Sequence, residues 1–201
     1  MNFISLECST HSPSVSIFLN NKHIDTYQIK ESTSSALPLC IHKILEKNSI
    51  HINKMDYIAT TIGPGTFTGI RVGLSLSQGL AYSLGIPIVP INVIEVLNYQ
   101  IKTTKEYIVA IHSYKNFITY QYFNQKNKNN MNFGKVEDIK NKIVFGIGLE
   151  KFESELNYNP LELSSFEVGE YAIKRYTELV ENNISLIKPI YLNEYKIEAI
   201  I

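Results

Sequence analysis

The 201-residue chain is 44% hydrophobic and 19% charged, enough apolar material for a packed core and too much for a disordered tail. Its 19 Lys+Arg balance 19 Asp+Glu, so the chain as a whole lacks the basic excess of a nucleic-acid binder, and any service to RNA falls to a partner that holds the RNA. Cys8 and Cys40 are the only cysteines, without a CxxC or a Cys/His zinc spacing, which argues against a disulfide framework and fits a reducing, cytoplasmic setting.

Met1 leads into Phe3-Ile4-Ser5-Leu6 without a cationic segment, so no cleaved leader is expected. Residues 3–6 and 15–19 read as strands joined across the polar turn 7–12, and Asn20-Asn21 is a hairpin signal before a third strand at 23–29. Ser34-Ser35 offer a cap, Pro38 is tolerated in a first helical turn, and Leu37, Ile41, Ile44 and Leu45 recur at helical spacing, which predicts an amphipathic helix. A strand at 57–62 follows, then a Gly63-Pro64-Gly65 turn, Thr66 as N-cap, a helix over 67–84 stopped by Gly85, and a strand at 86–89.

The second half is weaker in signal. Strands are predicted at 107–111, 117–123 and 143–148, a polar loop at 124–132 and one helix at 167–180, with no legible internal repeat. Residues 1–100 balance in charge, 101–150 hold eight basic against four acidic residues, and 151–201 hold five against nine. Two units, 1–100 and 101–201, are expected.

Between Asp56 and Glu95 the only charged side chain is Arg71, and residues 72–91 form an uncharged run of 20, long enough by count to span a bilayer. Ser75, Ser77, Gln78 and Ser83, with Pro87 and Pro90 closing the run, predict a buried helix and strand instead, and no membrane.

The segment from Thr61 to Gly73 is the informative one. A strand, a glycine-rich turn and a helix N-terminus make the generic anion-binding arrangement. No GxxxxGK[ST] occurs, which excludes a P-loop. The spacing GxGxxxG, with no acidic residue in the next strand to hold a ribose, argues against a dinucleotide-binding unit. The glycines alone are read most simply as a tight strand-to-helix turn. Gly69, Gly73 and Ser77, at i, i+4 and i+8, leave a groove for another backbone, while Phe67, Ile70, Leu74 and Leu80 supply apolar bulk. A helix so poor in charge is either internal or covered by a partner.

The run GPGTFTGIRVGLSLSQGLA at 63–81 resembles the G-P-G-S-F-T-G-x-R-x-G…A-x-G-L-A signature of the TsaB (YeaZ) family, proteins of tRNA threonylcarbamoyladenosine biosynthesis. Ile4-Ser5-Leu6-Glu7-Cys8-Ser9-Thr10 is similar to that family's opening I-D-T-S, Leu37-Pro38 to the L-P of its first helix, and Pro189-Ile190-Tyr191-Leu192 to its closing P-x-Y-L. The likeness is strong over 57–97, fair over 1–56 and thin beyond 101. It implies an α/β ASKHA (actin/Hsp70/sugar-kinase) fold of two lobes with the second reduced. It also implies a non-catalytic subunit without a cofactor, which activates a TsaD-like catalytic subunit as a heterodimer. A TsaE-like ATPase joins the pair, and tRNA is held only through the complex.

Departures from the family pattern carry information too. Glu7 stands where the family and its ATP-using relatives commonly have Asp, Ile111-His112-Ser113-Tyr114 where I-D-A-R is common, and Asn193 where Arg often stands. A carboxylate one methylene longer displaces metal and phosphate geometry. Glu7, Ser9, Thr10, Gly63, Gly65 and Thr66 are therefore expected to form at most a vestigial phosphate loop. His11, His23, His42, His51 and His112 make neither the H-x3-H pair of TsaD relatives nor HExxH, so no metal is expected. No G-x-S-x-G supplies a hydrolase nucleophile. Cys8 is expected to be a packing residue, and Lys126 and Lys128 merely solvated.

The partner surface is expected on the helices 35–46 and 67–84, through Leu37, Ile41, Phe67, Gly69, Arg71, Val72, Gly73 and Ser75. Leu37, Ile41 and Phe67 serve equally well as this chain's own core, and Arg71 is either paired across an interface or costly where it stands. Two other readings stay open: a small ASKHA ATPase or kinase-like enzyme using Glu7 and the glycine loop, and a homodimeric scaffold that sets the same helix against its own copy.

Overall fold

The structure, a computed structural model, describes residues 1–29, 36–124 and 130–192. Strand β1 (Phe3–Glu7) pairs antiparallel with β2 (Ser14–Leu19), which pairs with β3 (Lys22–Gln28). The turn between β2 and β3 is made by Asn20 and Asn21, both at positive φ (51° and 60°), which suits the right-handed twist of a hairpin. Helix α1 (Ala36–Lys47) follows, then β4 (Tyr57–Gly63) parallel to β1, α2 (Phe67–Leu84), and β5 (Ile88–Asn92) parallel to β4. Gly85, at φ 66°, stops α2 as predicted.

Helix α3 (Val93–Tyr99) leads to a second sheet: β6 (Tyr107–Tyr114), β7 (Phe117–Phe123), β8 (Asn132–Lys135), β9 (Ile143–Ile147) and β10 (Asn157–Pro160). The strand orders are β3-β2-β1-β4-β5 and, read in the same sense, β8-β7-β6-β9-β10. Each sheet is an antiparallel meander of three strands extended by two parallel ones. This structural repeat was invisible in the sequence, because the two halves share strand topology without sharing side chains.

Every residue of β1 is buried, as befits a central strand covered on both faces. Ile4 and Leu6 face α1 and α2 in a core with Ile17, Ile41, Ile44 and Leu74. On the other face Phe3 stacks between Phe18 (4.5 Å) and Tyr57 (4.3 Å), packed with Val168, Tyr171 and Ala172 of α4 (Ser165–Leu179). Helix α4, from the second half of the chain, thus closes the first sheet. In the second unit α3 packs Val93, Ile94 and Leu97 on one face against Val109 and Phe123. The other face is covered by short 3-10 turns through Val136, Ile139 and Leu149 rather than by a full helix, which is the reduction in concrete form.

Three elements escaped prediction. Helix α3 starts on Asn92, whose side chain accepts from the Ile94 N–H directly after β5, leaving no turn signal between strand and helix. Strands β8 and β10 are four residues each and contain Gly134 and Pro160, poor strand formers tolerated at sheet edges. The uncharged run 72–91 is helix then strand, and no helix among the described residues is long and apolar enough to cross a membrane. Ser34, Ser35, Lys126, Lys128 and Asn193 lie outside the described residues.

Candidate functional site

The glycine turn before α2 is laid over the end of β1. The Thr66 N–H donates to the Ser9 carbonyl at 2.7 Å, and the Gly63–Pro64 peptide is cis. A Cβ at Gly65 would stand 2.3 Å from the Ser9 oxygen, one at Gly69 2.0 Å from the Cys8 oxygen, and one at Gly73 2.8 Å from the Cys8 Cβ. The stripe of small residues therefore admits this chain's own Cys8–Ser9 backbone. That corrects the expectation of Gly69 and Gly73 as a groove for a second molecule: the approaching atoms are the Cys8 carbonyl and side chain, in the turn that follows β1.

Glu7 is wholly buried and folded back on its own turn. Its Oε1 accepts from the Ser9 N–H (2.6 Å) and Ser9 Oγ (2.5 Å), and its Oε2 from Thr10 Oγ1 (2.7 Å). Burial pushes the carboxyl above the usual carboxylate range, while the Ser9 and Thr10 hydrogen bonds pull the other way. Ser9 and Thr10 hold Glu7, and Gly65 and Thr66 lie against Ser9, whereas Gly63 faces the Ile190 carbonyl, 2.8 Å from where a Cβ would sit. Cys8 is buried beside them, its thiol pushed far up by burial and by Glu7. No group of three or more His, Cys, Asp or Glu among the described residues is placed to hold a metal ion.

A cleft of about 550 Å³ opens between the two sheets at this point. Ser9, Thr10, His11, Gly65, Thr66 and Phe67 line one wall; Ile111, His112, Ser113, Tyr114, Ile147 and Gly148 line the other. Its walls thus combine hydroxyls, imidazoles and aromatic rings, with no carboxylate or ammonium among the lining side chains. Such a lining suits neutral or aromatic contacts better than a polyphosphate, which needs cations to balance it.

Arg71 stands at the edge of this region and is satisfied within the chain. Its Nε donates to the Tyr191 hydroxyl at 2.8 Å, and its guanidinium lies 3.6 Å from the Phe67 ring centroid and 5.4 Å from that of Tyr191. The Ile190 N–H donates to the Ile62 carbonyl at 2.7 Å, so the segment carrying Tyr191 is bound alongside β4. Arg71 remains exposed, so these contacts orient the guanidinium without covering it.

A second concavity, about 530 Å³, runs between α1 and α2. Pro38, Ile41, Leu45, Ile50, Ile52, Leu76 and Leu80 make its apolar walls, with His42, Glu46, Ser49 and His51 at its polar rim. Leu39 on α1 and Tyr82 on α2 are 52% and 82% exposed. Of the expected partner contacts, Phe67, Arg71 and Ser75 are exposed and Val72 is half-buried. Leu37 and Ile41 are each only 3% exposed, because the apolar stripe of α1 faces its own sheet; Ile41 shows one edge to the groove. The sequence reading missed Leu76, Ile50 and Ile52 in this concavity, although Val72, Leu76 and Leu80 already mark one face at i, i+4, i+8.

Comparison with known proteins gives a consistent picture. The TsaD family model, described as tRNA N6-adenosine threonylcarbamoyltransferase, matches residues 28–140. The tRNA threonylcarbamoyladenosine biosynthesis protein TsaB of Haemophilus influenzae is 34% identical over 94 residues, 46% of this chain and 39% of that protein. The protein of the same name from Buchnera aphidicola subsp. Schizaphis graminum is 31% identical over 143 residues, 63% of this chain and 68% of that protein. These alignments thus span from about two fifths to two thirds of the relatives' lengths. The solved structure of YeaZ from Pseudomonas aeruginosa superposes with a TM-score of 0.74 at 17% identity, covering 95% of this chain and 99% of that one. At that identity the likeness bears on the fold, and it bears out the two-lobed α/β ASKHA architecture.

Proposed function

The chain belongs to the TsaB (YeaZ) family, and from that premise we propose that it is a non-catalytic subunit of tRNA threonylcarbamoyladenosine biosynthesis. It binds a TsaD-like transferase through the α1–α2 groove and supports that enzyme's activity. One observation carries the reading: the apolar groove faces outward, while the buried carboxylate at the strand end, Glu7, has both oxygens engaged by its own turn. An exposed apolar concavity on a neutral, otherwise well-packed chain calls for a partner.

The TsaD model matches this chain across α1 and α2, so a TsaD-like partner carries a corresponding helix pair. Two such pairs, related by a pseudo-twofold axis, would make a four-helix contact. In this scheme a TsaE-like ATPase joins the pair, tRNA enters through the complex, and the work takes place in the cytoplasm.

The test is co-purification with the TsaD-like protein of the same cell, followed by tRNA modification and ATP hydrolysis assays on each protein alone and together. Modification by the pair, with neither modification nor hydrolysis by this chain alone, is expected. Turnover of ATP by the isolated chain would instead support an ASKHA enzyme. A stable homodimer that never yields to the TsaD-like protein would support a separate scaffold role.

A further inference from the structure

The second sheet carries aromatic surface that neither the groove nor the core employs. Tyr114 stacks on Phe117 (centroids 5.0 Å apart, 27° between planes) and Phe117 on Phe133 (5.3 Å, 5°). The pairing of Phe117 with Lys135 and of Thr119 with Phe133 puts Phe117, Phe133 and Lys135 on one face of the β7–β8 hairpin. Tyr114 is 44% exposed, Phe117 and Phe133 are half-buried, and Lys135 is exposed. At its Tyr114 end the ladder reaches the lip of the cleft between the sheets.

Cations gather at the same end. The Lys135 amine lies 5.8 Å from the Phe117 centroid, and Lys151 Nζ donates to the Lys115 carbonyl at 2.7 Å, which brings Lys115 and Lys151 together beside the β6–β7 turn. Carboxylates stand among them: Asp138 accepts from the Lys135 backbone N–H (2.7 Å), Glu137 from the Asn116 amide (3.3 Å) and Glu150 from the Tyr158 hydroxyl (3.3 Å), each engaged by a local donor.

We propose that Tyr114, Phe117 and Phe133, with Lys115, Lys135 and Lys151, form a stacking surface for unpaired RNA bases, by which this subunit touches a single-stranded tRNA loop in the assembly. The choice of tRNA rests on the function proposed above; the choice of unpaired RNA rests on the ladder. Partly exposed rings on a sheet offer flat faces and edges to bases that have left a duplex, and flanking amines meet the phosphates. A duplex hides its bases and would use only the lysines.

The test measures binding of the full chain to a fluorescent RNA hairpin with a single-stranded loop, and to the same stem as a closed duplex, by anisotropy across a salt series. The loop should bind more tightly than the duplex, weakly and with steep salt dependence. Tyr114→Ala and Phe133→Ala should each weaken loop binding about 5- to 100-fold, by analogy with other base-stacking residues. Tyr114→Phe should restore it, and Lys135→Ala should reduce the slope of log affinity against log salt by about 0.7. Tyr114 is on the surface, so its variants test the idea even if Phe133→Ala fails to fold. Co-purification with the TsaD-like protein, measured on the same variants, should be unchanged. Unchanged loop binding in Tyr114→Ala, equal affinity for loop and duplex, or no loop binding at all would overturn the proposal and leave the partner assignment standing. A variant that lost the protein partner but kept RNA would make the ladder a protein contact and would equally overturn it.

Discussion

The carbonyl oxygen of Cys8 lies against Gly69, so close that a Cβ at position 69 would stand 2.0 Å from it. Neither atom can give way cheaply, because the oxygen belongs to backbone at the end of the buried strand β1. Gly69→Ala should cost about 3 kcal/mol or prevent folding, and Gly73→Leu should behave similarly against the Cys8 side chain. Enlarging Gly73 therefore damages the fold before it can report on pairing. Gly79, where an added Cβ would meet nothing within 4 Å, is the control: Gly79→Ala should be neutral or stabilise by up to about 1 kcal/mol. Urea denaturation of the three variants checks the ranking.

Glu7 predicts a pH dependence of definite sign. Its carboxyl titrates above the usual range in the folded chain, so the folded state holds that proton more tightly than the unfolded one. This contribution is fully present below the unfolded value of about 4.3 and is lost as pH rises through the raised folded value. Glu7→Gln, neutral at every pH, should therefore gain melting temperature relative to the wild type as pH rises from about 4.5 to 8. Glu7→Ala should be less stable than Glu7→Gln, because it strands the buried Ser9 N–H and Ser9 Oγ donors, at about 1–3 kcal/mol for each buried group left unpaired. In the assembled complex Glu7→Gln should retain tRNA modification. Loss of turnover with the complex intact would sink the supporting-subunit reading.

The clasp of Arg71 on Phe67 and Tyr191 holds the segment that pairs with β4. Arg71→Ala should weaken that attachment by about 1 kcal/mol. Hydrogen exchange at the Ile190 amide, bonded to the Ile62 carbonyl, should then speed up roughly fivefold. Tyr191→Phe removes the hydrogen bond alone and should have the smaller effect. Equal exchange in wild type and Arg71→Ala would show that other contacts hold the segment.

On α2, Leu80→Asp in the groove wall and Tyr82→Ala on the helix's exposed face should each lower affinity for the TsaD-like protein about tenfold or more, while far-ultraviolet circular dichroism stays the same. Tyr82 is the cleaner probe, since its side chain has little to lose within the monomer. Retention of full affinity by both variants would move the partner surface away from α1 and α2.

Residue patterns alone determined much of the first half. The Asn20-Asn21 hairpin, the span of α2 and its stop at Gly85 are local decisions, set by positive-φ preference, helical spacing and the conformational freedom of glycine. The glycine signature at 63–81 also carried the family, while the order of the first five strands with α1 and α2 was legible from turn residues, caps and spacing. Contacts between distant segments could be settled only by the folded chain. Whether Gly69 and Gly73 faced a partner or Cys8 depended on where β1 ends relative to α2, about 60 residues apart in sequence. The ring contacts and hydrogen bond of Arg71 depended on Tyr191, 120 residues away. Leu37 and Ile41 could equally have faced inward or outward until α1 docked on its sheet, and the ring ladder arose from strand register across β6, β7 and β8. Side-chain periodicity specifies that a face is apolar, whereas what covers that face is decided by packing.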